Sequence, residues 1–271
     1  DGALSMTGGA TETDGADMNE TGKIVALVDG SIYSHSVCAH AAWTAGRTGP
    51  AGESLAVEVL HLLGRRETAS APANLSGNIT LGARTALLEE LSELDAQRAK
   101  LAQRRGRAIL EDAKAVIEAA GVAEVATRLR FGDLLESLPE IEAEADLLVI
   151  GKRGEGADFA RLHLGSNLER VVRACHKPVL VAARAFRPIA RVLIAFDGRA
   201  SSLKAVAHVA ANPLFAGLDC HLLTVGADSA EARARLDEAR ATLAAAGLTV
   251  EAEIRPGQPE SVLSQAVESE G

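Results

Sequence analysis

No stretch of roughly 18 apolar residues occurs in the 271-residue chain, so there is no candidate for a membrane-spanning helix. The three cysteines, Cys38, Cys175 and Cys220, stand singly, with no CxxC pair and no histidine at ligand spacing. That pattern excludes a disulfide framework and a zinc site. Basic charge is short as well: the formal net charge is −9 and the pI near 5.3, so the field of the whole molecule repels polyanions. No basic patch stands out against it, and neither nucleic acid nor a membrane is expected as a partner. The first twenty residues hold no Lys or Arg and no apolar centre, unlike an export signal; they carry Asp1, Glu12, Asp14, Asp17 and Glu20 among Gly, Thr and Ala. Residues 1–21 are expected to be a disordered acidic tail, and a cytoplasmic location follows by default.

What the chain does have is apolar residues, 47% of the total, in short continuous runs separated by helical periodicity. Continuous rather than alternating runs are what strands covered on both faces require. Runs at Ile24–Val28, Leu55–Leu63, Val125–Phe131, Leu147–Ile150 and Val179–Ala182 predict five strands. Helical spacing lies between them, at Val37, Ala41 and Ala42, at Leu134, Leu138 and Ile141, and at Leu168, Val171, Val172 and Cys175. This is an α/β, doubly wound, five-stranded parallel sheet with helices on both faces. From Leu81 to Ala120 a longer stretch repeats Leu87, Leu91, Leu94 and Leu101 among Glu, Arg and Lys. The preferred reading is an elongated amphipathic helix packed on its own domain; the sharper one is a projecting arm that grips a partner subunit. Gly106 argues against one straight rod.

The chain repeats itself. Ile24–Gly30 (IVALVDG) is echoed by Val192–Gly198 (VLIAFDG) 168 positions on, and Leu129–Gly132 (LRFG) by Ile254–Gly257 (IRPG) 125 positions on. The 43-residue difference places an insertion in the first copy, at about residues 64–106. Residues 22–186 are therefore expected to be a complete domain and 187–271 a partial second copy lacking its last two strands. An exposed first strand in that copy would be a liability, so the chain is expected to continue beyond Gly271.

One segment carries candidate chemistry: Leu147–Gly154 (LLVIGKRG), followed by Leu164–Glu169 (LGSNLE). Glycines after a buried strand let backbone amides face a ligand, and a helix opening at Gly165, Ser166 and Asn167 adds its unpaired amides and positive dipole end. Phosphate is the natural guest, with Lys152, Arg153, Arg161 and His163 able to supply charge, although Glu155 and Asp158 would repel it. Ser166 and Glu169 equally form a capping box, in which the serine is only a helix cap. Neither a P-loop nor a dinucleotide fingerprint fits, since Arg153 follows Gly151-Lys152 and Phe159 stands where a glycine is needed. Asp29, at a strand end before Gly30, is by itself a common turn former. No serine, histidine and acid grouping can be picked out, and no catalytic residue is assigned.

A strand ending in Asp29-Gly30-Ser31, a later one ending in Gly151-x-x-Gly154, a Gly165-Ser166 pair opening the next helix and a Pro178-Val179 strand together resemble the universal stress protein family. The resemblance covers residues 22–184 as a full unit and 189–271 as a partial one. It implies strand order 3-2-1-4-5, a dimer or pseudo-dimer formed through the last strand, and ATP, with Mg2+ accompanying it, at the carboxyl ends of the strands. Carried over, Asp29, with Gly30 and Ser31, contacts the adenosine part, and Gly151, Lys152, Arg153, Gly154, Gly165, Ser166 and Asn167 form the phosphate loop. Ten residues separate Gly154 from Gly165, where the family's ATP-binding pattern has nine. The expected function is a nucleotide-binding regulatory protein of the stress response. The alternative is an interaction module of the same fold that takes no nucleotide and works through unidentified protein partners. A slow ATPase or adenylyl-transfer enzyme ranks last.

Overall fold

The structure, a computed structural model, describes residues 5–7, 22–49, 53–64, 81–153 and 166–270, with backbone only for 5–7, 81–86, 166–167 and 270. In chain order the elements of the first sheet and its helices are β1 (Ser5–Thr7), β2 (Lys23–Leu27), α1 (Ser34–Thr48), β3 (Ala56–Leu63), α2 (Leu81–Ala119), β4 (Val125–Phe131), α3 (Leu134–Glu144), β5 (Leu147–Gly151), α4 (Ser166–Ala174) and β6 (Val179–Ala182). A second set follows: β7 (Arg191–Ala195), α5 (Ala200–Ala211), a 3-10 turn at Pro213–Phe215, β8 (Asp219–Val225), α6 (Ala230–Ala245), β9 (Thr249–Arg255) and α7 (Pro259–Glu270).

The first sheet runs β1-β6-β5-β2-β3-β4, all parallel except β1. Without β1 this is the order 3-2-1-4-5 that the resemblance implied. Its central strands are buried on both sides because alternate residues serve two cores. Ile24, Ala26, Val57, Val59, Val149 and Leu180 meet Val37 and Ala41 of α1 and Leu110, Ala113 and Ile117 of α2. Val25, Leu27, Leu60, Leu148 and Ile150 meet Leu138 and Ile141 of α3 and Leu168 and Val171 of α4. Period 2 in the strands thus becomes a three-layer sandwich.

Three findings depart from the expectations. Ser5–Thr7, within the segment expected to be disordered, forms β1 and pairs antiparallel with the outer edge of β6. The α2 helix is continuous over 39 residues despite Gly106. Gly106 instead marks the closest approach of α2 to the sheet: an added Cβ would stand 2.7 Å from Leu129 Cδ1 and 2.9 Å from His61 Cδ2. Finally, α2 packs on its own domain only in its C-terminal half. The C-terminal half buries Gly106, Leu110, Ala113 and Ile117, whereas none of residues 87–105 is buried. Of the inserted segment, 65–80 lie outside the described residues.

The second sheet, β7-β8-β9, is parallel and is covered on one face by α5 and α6. It repeats the first in detail. Asp29 Oδ1 accepts from Ser31 N and Ser34 Oγ, and Asp197 Oδ1 from Arg199 N and Ser202 Oγ, the same offsets in each copy. Gly30 and Gly198 follow with φ of +77° and +72°. The α1 helix also meets the second set: Trp43 packs into the core under β7-β8-β9, and Arg47 Nε donates to Leu214 O at 2.8 Å with its guanidinium over the Trp43 ring.

Burial sets the protonation of several groups. It pushes the thiols of Cys38 and Cys175 up to about 12 and that of Cys220 to about 11, so all three stay neutral and free. It also lowers the pKa of His40, whose Nδ1–H donates to Ser36 O at 2.7 Å, and that of His208. A histidine with a depressed folded pKa leaves the unfolded chain binding more protons, so stability is full above the unfolded pKa and declines as pH falls below it. Between about pH 6.5 and 5, above the carboxylate range, the urea midpoint is expected to drop, and to drop less in His40→Leu. A flat profile in that window would contradict the burial of a neutral His40.

Candidate functional site

The candidate site sits where β2 and β5, adjacent and parallel, end side by side, with Leu27 in register with Ile150. The chain leaves β2 through α1 toward β3 and leaves β5 through α4 toward β6, on opposite sides of the pair. That divergence is the topological switch point of a doubly wound sheet, where a crevice opens beyond the strand ends. Because β5, α4 and β6 form a parallel crossover, the start of α4 at Ser166 returns to this same edge.

Two turns line the edge. After β2, Asp29, Gly30 and Ser31 form a self-contained loop: Asp29 takes the hydrogen bonds described above, Gly30 N donates to Ser34 Oγ at 3.0 Å, and Tyr33 N to Ser31 Oγ at 3.2 Å. Asp29 is thus the turn former of the plainer reading and is half-exposed as well. After β5, Gly151 is buried against the first turn: a Cβ there would come within 2.9 Å of Tyr33 Cβ and 3.2 Å of Arg153 O. No larger residue fits that contact. Lys152 N donates to Ala182 O at 2.9 Å and leaves its side chain exposed. Arg153 Nε is buried without a hydrogen-bond partner among the described residues, the kind of cost that an anion would relieve.

The structure therefore brings together Asp29, Gly30, Ser31, Gly151, Lys152 and Arg153, and starts a helix with Ser166 and Asn167. Gly154, Gly165, Arg161 and His163 lie outside the described residues, as does the ten-residue spacing. Three participants were missed by sequence reasoning. Tyr33 is the wall behind Gly151. From α2, Ile109 Cδ1 would be 2.6 Å and Arg105 Nη2 3.9 Å from a Cβ on Gly30, so the insertion lays a cation over the Asp29 turn. Only the i, i+4 spacing of Arg105 and Ile109 hinted that they share a face. Of the other histidines, His40 and His221 are buried, His61 is buried with Nδ1 donating to Val28 O beside the Asp29 turn, and His176 pairs with Glu142. Among the described residues no cluster of three or more His, Cys, Asp or Glu could hold a metal, and no helix is long and apolar enough to cross a membrane.

Comparison with known proteins gives a consistent result. The model of the Universal stress protein family matches residues 20–183. The curated universal stress protein Slr1230 of Synechocystis is 36% identical over 243 residues, which cover 89% of this chain and 83% of that one. Among solved structures, a universal stress protein from Archaeoglobus fulgidus superposes with a TM-score of 0.64 at 19% identity, over 92% of this chain and 82% of that one. A putative universal stress protein from Pseudomonas aeruginosa gives 0.52 at 18%, over 91% and 78%. At those identities the two structures speak for the fold alone.

Proposed function

Because the chain belongs to the universal stress protein family, we propose that it acts by binding, as a nucleotide-binding regulatory protein of the stress response, with ATP as its ligand. The observation that carries this reading is the pairing of two strand-end turns at the switch point, one bearing the Asp29 carboxylate and the other a buried Arg153 Nε that has no hydrogen-bond partner among the described residues. The residues present fit the parts of such a ligand. A carboxylate suits ribose or base donors, while Lys152, Arg153 and the amides opening α4 suit phosphates. Mg2+ would arrive with the phosphates.

Thermal unfolding of the full chain with and without Mg-ATP tests it. At a hundred times the dissociation constant, wild type is expected to gain about 2.7 kcal/mol of apparent stability. Ser166→Glu, which sets a negative charge against the phosphates while suiting the helix start, should lose most of that gain. Asp197→Asn, in the matching turn of the second sheet, should keep it. No shift at millimolar ATP leaves the interaction-module reading standing. Slow phosphate release that persists in Ser166→Glu would count against turnover at this loop.

A further inference from the structure

We propose that the exposed N-terminal half of α2 is a dimerisation arm, pairing antiparallel with the same segment of a second copy. The claim is independent of the nucleotide reading and rests on three features of the arm and one of the sheet.

The first is exposure of the wrong kind of residue. Leu87, Leu88, Leu94 and Leu101 are 39%, 49%, 44% and 68% exposed, and they make up most of the large exposed apolar side chains among the described residues. Leu87, Leu91, Leu94 and Leu101 follow the four-three-seven spacing of a coiled-coil seam. Isolated surface leucines need no explanation, but a stripe of them along a helix that buries nothing for several turns does.

Charge distribution names the occupant. Residues 87–95 carry Glu89, Glu90, Glu93 and Asp95 and no base; residues 98–107 carry Arg98, Lys100, Arg104, Arg105 and Arg107 and no acid. The helix continues to Ala119, so its own dipole does not account for a basic block at mid-length. A parallel pair would set like charges together. An antiparallel pair sets each acidic half against the partner's basic half. Glu90 and Arg104 lie seven residues either side of Gln97 on the same flank of the seam, so a two-fold axis beside Gln97 would bring Glu90 of each copy to Arg104 of the other. In that register Leu91 meets the partner's Leu101, and Leu94 packs on the aliphatic stem of the partner's Arg98. A closed two-fold arrangement of this kind uses one patch twice, and no further copy can add to it.

The sheet supplies the last feature. The outer edge of β6, through which a second copy would extend the sheet, is already paired by β1 of the same chain. Self-association then falls to another surface, and the arm is the apolar one on offer.

Sedimentation equilibrium of the full chain, without nucleotide, tests the proposal. Wild type is expected to dimerise. Leu94→Ser with Leu101→Ser should be monomeric over the same concentrations and unchanged in circular dichroism, since neither leucine is buried. Glu90→Arg and Arg104→Glu should each weaken self-association about tenfold or more, by setting like charges together twice. Mixing those two variants should restore a dimer, as should combining both changes in one chain. A monomeric wild type would overturn the proposal. So would a dimer indifferent to the paired leucine change and to both single charge reversals, which would place the interface elsewhere, or single charge variants that fail to recover on mixing, which would exclude the antiparallel register.

Discussion

Gly106→Leu is expected to lower the unfolding free energy by about 3 kcal/mol or more, measured by urea denaturation. The reason is the fit of α2 against β3 and β4. A Cβ at Gly106 already falls within 3 Å of Leu129 Cδ1 and His61 Cδ2. Leu129 can give way, but His61 is buried and donates from Nδ1 to Val28 O at 2.7 Å, so the helix must move instead. Moving it would also disturb Arg105 and Ile109 over the Asp29 turn, and any ATP-induced stabilisation should shrink in the same variant. Gly46, in α1, is the control. There an added Cβ meets nothing within 4 Å, so Gly46→Ala should stabilise by about 0.5–1 kcal/mol through helix propensity alone. Equal responses at the two positions would mean that α2 does not pack as described.

The second large effect is expected at Glu58. This carboxylate lies inside the mostly apolar β3, its side chain 8% exposed, and receives Lys23 Nζ and Arg128 Nε at 2.8 Å each. Glu144 of α3 completes the network from outside, at 3.3 Å from Lys23 Nζ and 2.5 Å from Arg128 Nη2. Glu58→Ala leaves two half-buried cations facing a void and should cost about 2–3 kcal/mol, at or below the bottom of the range for breaking a fully buried pair, because both cations can turn partly to solvent. Glu58→Leu with Arg128→Met should cost less than the two single changes added together, since the pair is removed as a unit. Additive losses in that cycle would show that the two side chains do not interact.

Most of the fold was legible before any coordinates, and the reason is local. Strands such as Leu147–Gly151 are continuous apolar runs, and a glycine or an aspartate-glycine pair ends them. Asp29 and Gly151 could be named as site residues on that ground alone, because strand-end chemistry depends on neighbours in the chain. Tyr33 and Arg105 could not, since Tyr33 matters through its contact with Gly151, far away in the chain, and Arg105 enters the site from α2. The position of Arg105 depends on how α2 rotates and slides against the sheet, which the packing at Gly106 sets. The same glycine misled the reading of α2, where helix propensity alone suggested a break and tertiary contact keeps one helix.

The amino-acid order by itself determined the alternation of strand and helix, the parallel sheet, the repeat and the polarity of the α2 arm, with its acidic start and basic continuation. Each follows from periodicity or from charges close together in sequence. Only the tertiary structure decided that β1 occupies the edge of β6, that Glu58 is neutralised by Lys23 and Arg128, that Arg47 of α1 binds Leu214 O, and that Arg153 Nε is buried with no partner among the described residues. These depend on distances between residues far apart in the chain, and such distances come into being only when the two faces of the sheet are covered.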